Sequence, residues 1–182
     1  MNNIGDLFQQ QTKYDRESIG KIKVDFSKKA SPFKEYEKVE KVKLPDPEID
    51  KIKENVNIFE LLKKRRSRRE YSLQPITAKE LSILLWSIQG ITEVSMGYYL
   101  RTAPSAGALY PIETYVSVQR VKELESGIYH FNPIKFELEY LKKGDFGYKL
   151  SIAGLGQSMI EEAAVVFIWT AVVLRSKWKY GE

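Results

Sequence analysis

Four stretches with the pattern of β-strands lie in the C-terminal half of this 182-residue chain, and they restrict its fold more than any other feature. They are residues 112–118, 127–131, 136–141 and 163–173. The second and third predict a hairpin that turns at Asn132 and Pro133. The fourth is a continuous β-branched and aromatic run, which predicts a buried central strand.

Helical patterns precede and separate these strands. Asn57 is a suitable N-cap for one helix, and Thr77 with Glu80 forms a capping box at the start of a second. Leucine and isoleucine then recur at helical spacing until Gly90, which ends the second helix. Two further short helices are predicted at residues 146–153 and 158–162. Strands and helices in this order predict an α+β fold.

The chain is long enough for one domain with a substantial core. Residues 1–56 are predicted to form an N-terminal arm, because charges alternate through residues 34–41 and Pro45 and Pro47 follow without a long amphipathic period. We expect this arm to wrap over a surface instead of building the core. Residues 57–182 are predicted to form the domain itself.

Two residue types that often carry chemistry are scarce. The absence of cysteine excludes disulfides, thiolate catalysis and cysteine-ligated metals. His130 is the single histidine, so neither a histidine-based zinc cluster nor a Ser-His-Asp triad with a choice of base is available. We therefore predict no metal site, and we interpret His130, which lies in a predicted strand, as structural.

The sequence also carries no pattern of a targeting or membrane segment. The first six residues have neither a basic start nor an apolar run, unlike a signal peptide. The longest apolar run, residues 163–174, has 12 residues and is too short to cross a bilayer. A cytoplasmic protein without membrane contact is the expectation.

Most of the net charge of +5 is concentrated between Glu60 and Glu70, where six Lys/Arg face two Glu. The arginine cluster, residues 65–69, combines planar guanidinium donors with the Ser67 hydroxyl, a set that suits a phosphate. Two other interpretations stay open. Cations are favoured at a helix C-terminus, and a basic run can bind nucleic acid.

The small-residue shelf, residues 104–111, lies about forty residues further on. Its lack of bulk lets backbone amides approach a flat ligand, and Gly107 permits a positive φ. An ordinary loop that enters a strand is the alternative interpretation. Taken together, the arginine cluster and the shelf indicate a bound flavin nucleotide and therefore redox chemistry.

The chain resembles the nitroreductase-like flavoproteins, and among them the SagB-type dehydrogenases. The resemblance rests on residues 65–71, 84–91, 101–113 and 127–133. It implies an α+β nitroreductase-like fold, with a central, mostly antiparallel sheet flanked by helices, that forms an intertwined homodimer with FMN at the interface. It further implies an FMN-dependent oxidoreductase with a small molecule or peptide as substrate, in which either NAD(P)H or an organic substrate donates the hydride to FMN.

The resemblance also implies roles for particular residues. The phosphate, ribityl chain and pyrimidine edge of FMN would be held by Arg65, Arg66, Ser67 and Arg69. The isoalloxazine would lie near residues contributed by the other subunit, namely Pro104, Ser105, Ala106 and Gly107. Lys179 and Tyr180 resemble the Lys-Tyr pair that SagB-type azoline dehydrogenases use for proton removal, so they are the candidate catalytic residues. A solvated surface pair is the alternative.

One departure from the family pattern concerns the C-terminus. Family members continue past this point with a long helix, a glycine-containing segment near the flavin and a final strand that crosses to the partner. We therefore expect the chain to be C-terminally truncated. A non-catalytic scaffold that binds flavin or a partner is the alternative function. A nucleic-acid-binding module is disfavoured, because little net charge lies outside the arginine cluster.

Overall fold

Five strands form one fully antiparallel sheet in the computed structural model, which describes residues 3–13, 25–51 and 57–180. In chain order the helices and strands are α1 (Ile4–Gln11), β1 (Lys41–Lys43), α2 (Ile58–Lys64), α3 (Ala78–Gln89), β2 (Ile91–Ser95), β3 (Tyr98–Arg101), β4 (Ile112–Val118), β5 (Gly127–Asn132), β6 (Glu137–Lys143), α4 (Gly147–Ala153), α5 (Ser158–Glu162), β7 (Val165–Ala171) and α6 (Leu174–Tyr180). The sheet has the order β1-β6-β5-β4-β7, and β2 with β3 forms a separate hairpin. The predicted α+β fold with an antiparallel sheet flanked by helices is confirmed.

The predicted start of α3 is confirmed in detail. The Glu80 amide donates to Thr77 Oγ1 at 3.2 Å, and the Thr77 amide donates to Glu80 Oε2 at 2.7 Å. These two reciprocal bonds satisfy amides that the first helical turn leaves without partners. Gly90 follows the last helical residue, and its amide donates to the Trp86 carbonyl at 2.7 Å.

The core lies between α3 and the sheet. Leu81 and Leu85 are fully buried at helical spacing, and they belong to one cluster with apolar residues of the three central strands. These strand residues are Val116, Val118, Tyr129, Phe131 and Leu138. Burying each such side chain contributes about 1.5–3 kcal/mol, so the helix and the sheet stabilise each other.

The prediction that residues 163–173 form a buried central strand is wrong in its placement. The strand exists as β7, but β4 is its single neighbour in the described sheet, so β7 lies at an edge. Its second half is exposed, with Trp169 59% accessible. A continuous apolar run indicates that a strand can be buried, but it does not identify what lies on its far side.

The N-terminal arm builds more of the fold than we expected. Residues 41–43 pair with β6 as an edge strand, and Leu44 is buried in the core. Of the two lysines of this short strand, Lys43 is exposed, and an exposed lysine is a common way to protect a sheet edge. By contrast, α1 has no buried residue.

The β2–β3 hairpin was not predicted from the sequence. Its two-residue turn consists of Met96 and Gly97, both with positive φ (48° and 79°). Positive φ at both central positions matches the right-handed twist of two paired strands. This hairpin follows α3 directly and leads into the small-residue shelf.

Candidate functional site

The arginine cluster begins where α2 ends. Arg65 is the C-cap of α2, and Nη1 of Arg66 donates to the carbonyls of Lys63 (3.0 Å) and Arg65 (2.7 Å). Part of the cluster therefore satisfies the helix C-terminus, as one interpretation of the sequence held. All residues from 65 to 69 are exposed, and within the described chain the guanidinium groups of Arg65 and Arg69 make no hydrogen bond or ion pair.

The small-residue shelf has an unusual backbone. Gly107, Ala108 and Tyr110 all have positive φ, at 63°, 53° and 42°. The Tyr110 amide donates to Ser105 Oγ at 2.9 Å, which closes the loop. Residues other than glycine rarely adopt this conformation, and it clusters at functional sites.

Lys179 and Tyr180 lie against this shelf. A Cβ atom placed on Gly107 would be 2.5 Å from Lys179 Nζ and 2.8 Å from Tyr180 Oη. Both side chains therefore occupy the space that the missing side chain leaves open. The structure brings these three predicted site residues together although they are far apart in sequence.

The contacts that join Gly107 to Lys179 and Tyr180 do not extend to the arginine cluster. Among the described residues, no hydrogen bond, ion pair or ring contact joins residues 65–69 to residues 104–107. Within one chain, the candidate site is therefore in two parts. One is an exposed cationic segment, and the other is the shelf with Lys179 and Tyr180.

Arg175 fastens α6 to the sheet, one helical turn before Lys179. It is 3% exposed, its Nε donates to the Ser31 carbonyl at 2.8 Å, and Nη1 donates to the Tyr110 carbonyl at 2.9 Å. Its Nη2 forms an ion pair with Glu113 Oε1 at 2.5 Å. Sequence reasoning missed this residue. The one usable signal was Glu113, a charged residue in a strand otherwise suited to burial.

Buried charges continue from Glu113 across the sheet. His130 Nε2 lies 2.8 Å from Glu113 Oε2, and His130 Nδ1 lies 2.8 Å from Glu139 Oε2. Each ring nitrogen of His130 therefore has a buried carboxylate as its hydrogen-bond partner. Lys41 Nζ then reaches Glu139 Oε1 at 3.2 Å. His130 thus sits at the centre of a buried charge network, in keeping with the structural role expected from the sequence.

Two opposing effects act on the pKa of Glu113. Burial raises the pKa, whereas the hydrogen bond from His130 and the charge of Arg175 lower it, and the lowering prevails. A carboxyl group whose pKa is lower in the folded state stabilises the fold above the unfolded-state pKa of about 4.3. That stabilisation is lost as the pH falls through the lower, folded-state value.

We therefore expect the free energy of unfolding to fall as the pH drops below about 5. In Glu113→Gln the protein should be less stable at neutral pH but should show a flatter dependence in this acidic range. Urea unfolding at a series of pH values measures both effects. Glu161→Gln, an exposed change on α5, is the control. If the free energy of unfolding of Glu113→Gln fell as steeply below about pH 5 as that of the wild type, Glu113 would not be the source of this pH dependence.

Comparison with known proteins decides the family. The sequence profile of the nitroreductase family matches residues 62–182, which include both parts of the candidate site. The chain belongs to the nitroreductase family. It is 38% identical over 136 residues to a nitroreductase homologue of Methanocaldococcus jannaschii, and the match covers 75% of this chain and 65% of the relative.

Two solved structures are similar to this nitroreductase-family chain. A homologue from Anabaena variabilis gives a TM-score of 0.71 at 29% identity, covering 99% of this chain and 34% of that chain. A homologue from Ralstonia eutropha gives 0.60 at 26% identity, covering 76% and 59%. The chain thus spans between about a third and two thirds of the length of these relatives. In the described part of the chain, no helix combines the length and apolar character needed to cross a membrane.

Proposed function

We propose that this chain is an FMN-dependent oxidoreductase in which Arg65, Arg66, Ser67 and Arg69 hold the cofactor. The chemistry of the donor set supports the assignment. The Arg65 and Arg69 guanidinium groups have no partner within the described residues and are exposed beside a hydroxyl, so they can meet a phosphate as paired charged donors. Cations at the pyrimidine edge would also stabilise negative charge on the reduced ring.

The single observation that carries the proposal is the left-handed loop at Gly107. A Cβ atom on Gly107 would lie 2.5 Å from Lys179 Nζ and 2.8 Å from Tyr180 Oη, so the missing side chain lets both candidate catalytic groups approach the loop backbone. Residues 104–107 are proposed to lie against the isoalloxazine. Because no described hydrogen bond, ion pair or ring contact joins them to residues 65–69 within one chain, the proposal places them on the partner of a homodimer, with FMN between the subunits.

When bound, FMN would supply the hydride transfer: it would accept a hydride from NAD(P)H or, in a dehydrogenase, from the organic substrate, and would pass the electrons to a second substrate. The residues of the chain bind, orient and handle protons. Tyr180 Oη is suited to exchange a proton with a substrate beside Gly107, and the Lys179 ammonium adds a positive charge next to it. This arrangement favours a SagB-type dehydrogenase acting on a small molecule or a peptide as the finer assignment.

FMN titration of the purified protein tests the proposal. We expect saturable binding seen in the visible absorption bands of the flavin, and oxidation of NAD(P)H when a nitroaromatic or quinone acceptor is added. Tyr180→Phe should bind FMN as the wild type does, but its rate of turnover should fall by roughly 100-fold or more, because the proton-exchanging hydroxyl is missing. Absence of FMN binding would contradict the proposal. FMN binding without turnover of any acceptor would favour the non-catalytic scaffold.

A further inference from the structure

A cavity of about 220 Å³ lies between the N-terminal segment, the β2–β3 hairpin and α6. Residues 108–110 of the small-residue shelf line it on one side, whereas no residue of the arginine cluster and none of residues 104–107 does. Three cations line it, Lys29, Arg101 and Arg175, and no acidic residue is among its described lining residues. Arg175 is already paired with Glu113, so the positive charges without an ion-pair partner among the described residues are those of Lys29 and Arg101.

Arg101 is the cation whose hydrogen bonding is incomplete. Its Nη1 donates to Gln89 Oε1 at 2.8 Å, but its Nε is buried and has no hydrogen-bond partner within the described residues. The guanidinium carbon lies 4.4 Å from the ring centre of Tyr110 and 5.2 Å from that of Phe33. Aromatic faces attract a cation, but they do not accept a hydrogen bond as a carboxylate does.

The charge of Arg101 also lacks a counter-ion of its own. Burial lowers the pKa of Arg101 to about 10, although the charge of Glu113 opposes this effect. Glu113 is already bound to Arg175 and His130, and no described carboxylate forms an ion pair with Arg101. At neutral pH Arg101 is therefore a protonated, desolvated cation facing an acid-free cavity. Pairing it with an anion would offset part of its desolvation cost.

The walls of the cavity are suited to a flat ring. Phe33 and Tyr99 meet edge to face with ring centres 5.0 Å apart, and Trp178 of α6 also lines the cavity. Aromatic rings pack favourably in such edge and offset arrangements. The volume is below the roughly 300–1,000 Å³ of sites for drug-sized ligands, so a single ring is the appropriate size.

We propose that this cavity binds a small planar monocarboxylate of one aromatic ring, with the carboxylate at Arg101 and the ring against the Phe33–Tyr99 pair and Trp178. The site goes beyond the proposed FMN chemistry and does not depend on it. Its experiment uses flavin-free protein, so failure of one proposal leaves the other standing.

Benzoate is the probe, followed by calorimetry and by tryptophan fluorescence. We expect saturable binding of one benzoate per chain, and at least about tenfold weaker binding of benzamide, the neutral isostere. Arg101→Gln should weaken benzoate binding at least about tenfold, whereas Lys149→Gln, which removes an exposed cation outside the cavity, should leave it unchanged. No saturation up to about 10 mM benzoate, or equal binding of benzamide, would overturn the proposal.

Ala30→Leu is the second variant, because Arg101→Gln removes a half-buried side chain and can affect folding. Ala30 lines the cavity from the N-terminal segment, so a larger side chain fills space without changing charge. Benzoate binding should weaken at least about tenfold while the melting temperature stays the same. Unchanged binding in Ala30→Leu would overturn the location, as would displacement of benzoate by FMN. Sulfate competing as strongly as benzoate would overturn the ring requirement.

Discussion

Replacing Arg175 with methionine is expected to lower the free energy of unfolding by about 3–5 kcal/mol, the usual cost of breaking a buried ion pair from one side. The change leaves Glu113 buried with one fewer partner and frees two backbone carbonyls, those of Ser31 and Tyr110. Methionine retains much of the side-chain volume, so lost charge and hydrogen bonds dominate the result. Urea unfolding at neutral pH measures the difference.

The matched control for this prediction is Lys149→Met, an exposed cation on α4. It should change stability by less than about 0.5 kcal/mol. A similarly small effect of Arg175→Met would mean that the network contributes little. The double variant Arg175→Met/Glu113→Leu separates the cost of the unpaired Glu113 charge from the cost of the lost hydrogen bonds. If the unpaired charge is the main penalty, the double variant should be more stable than Arg175→Met alone.

Removing Arg65 and Arg69 together is expected to cause a large loss of FMN affinity. Each charged hydrogen bond to phosphate contributes about 1.5–3 kcal/mol, so Arg65→Ala/Arg69→Ala should lose roughly 100-fold or more in affinity. Riboflavin lacks the phosphate, so the wild-type protein should bind it more weakly than FMN. In the double variant the difference in affinity between FMN and riboflavin should be smaller than in the wild type. Calorimetry with both ligands measures this discrimination.

Arg68→Ala is the matched control, because Arg68 lies in the same exposed segment and is not one of the proposed FMN ligands. It should change FMN affinity by less than about threefold, a difference below 1 kcal/mol. An equal loss in Arg68→Ala would indicate attraction by the overall charge and not a built phosphate site. Unchanged FMN affinity in the double variant would remove the cluster from the binding site.

Local signals predicted α2, α3, α4 and α5 and the β5–β6 hairpin, but not α1 or α6. The capping box of Thr77 and Glu80 depends on four neighbouring residues, and the hairpin at Asn132 and Pro133 on a few more. The structure has both, because capping and turn formation involve near neighbours in the chain. The β2–β3 hairpin was missed, although Met96-Gly97 between β-forming residues was a readable turn signal.

Long-range placement could not be predicted in the same way. The edge position of β7 depends on β4 and on what lies beyond β7, and neither is encoded in its own apolar run. The three-residue strand β1 is too short to show an alternating apolar pattern, so its pairing with β6, in which Lys41 lies opposite Glu139, could not be predicted from the sequence. Sequence resemblance singled out Gly107 and Lys179, but their contact across the fold could only be seen in three dimensions.

The buried charges between α6 and β1 have an evolutionary consequence. Ion pairs and hydrogen bonds link the side chains along this path, from Arg175 through Glu113, His130 and Glu139 to Lys41. The loss of any one member leaves its neighbours with an unmatched charge in a poorly solvated interior. Single substitutions along the path are therefore costly, whereas paired replacements can restore neutrality. These five positions are expected to covary among relatives, as a chemical unit inherited together.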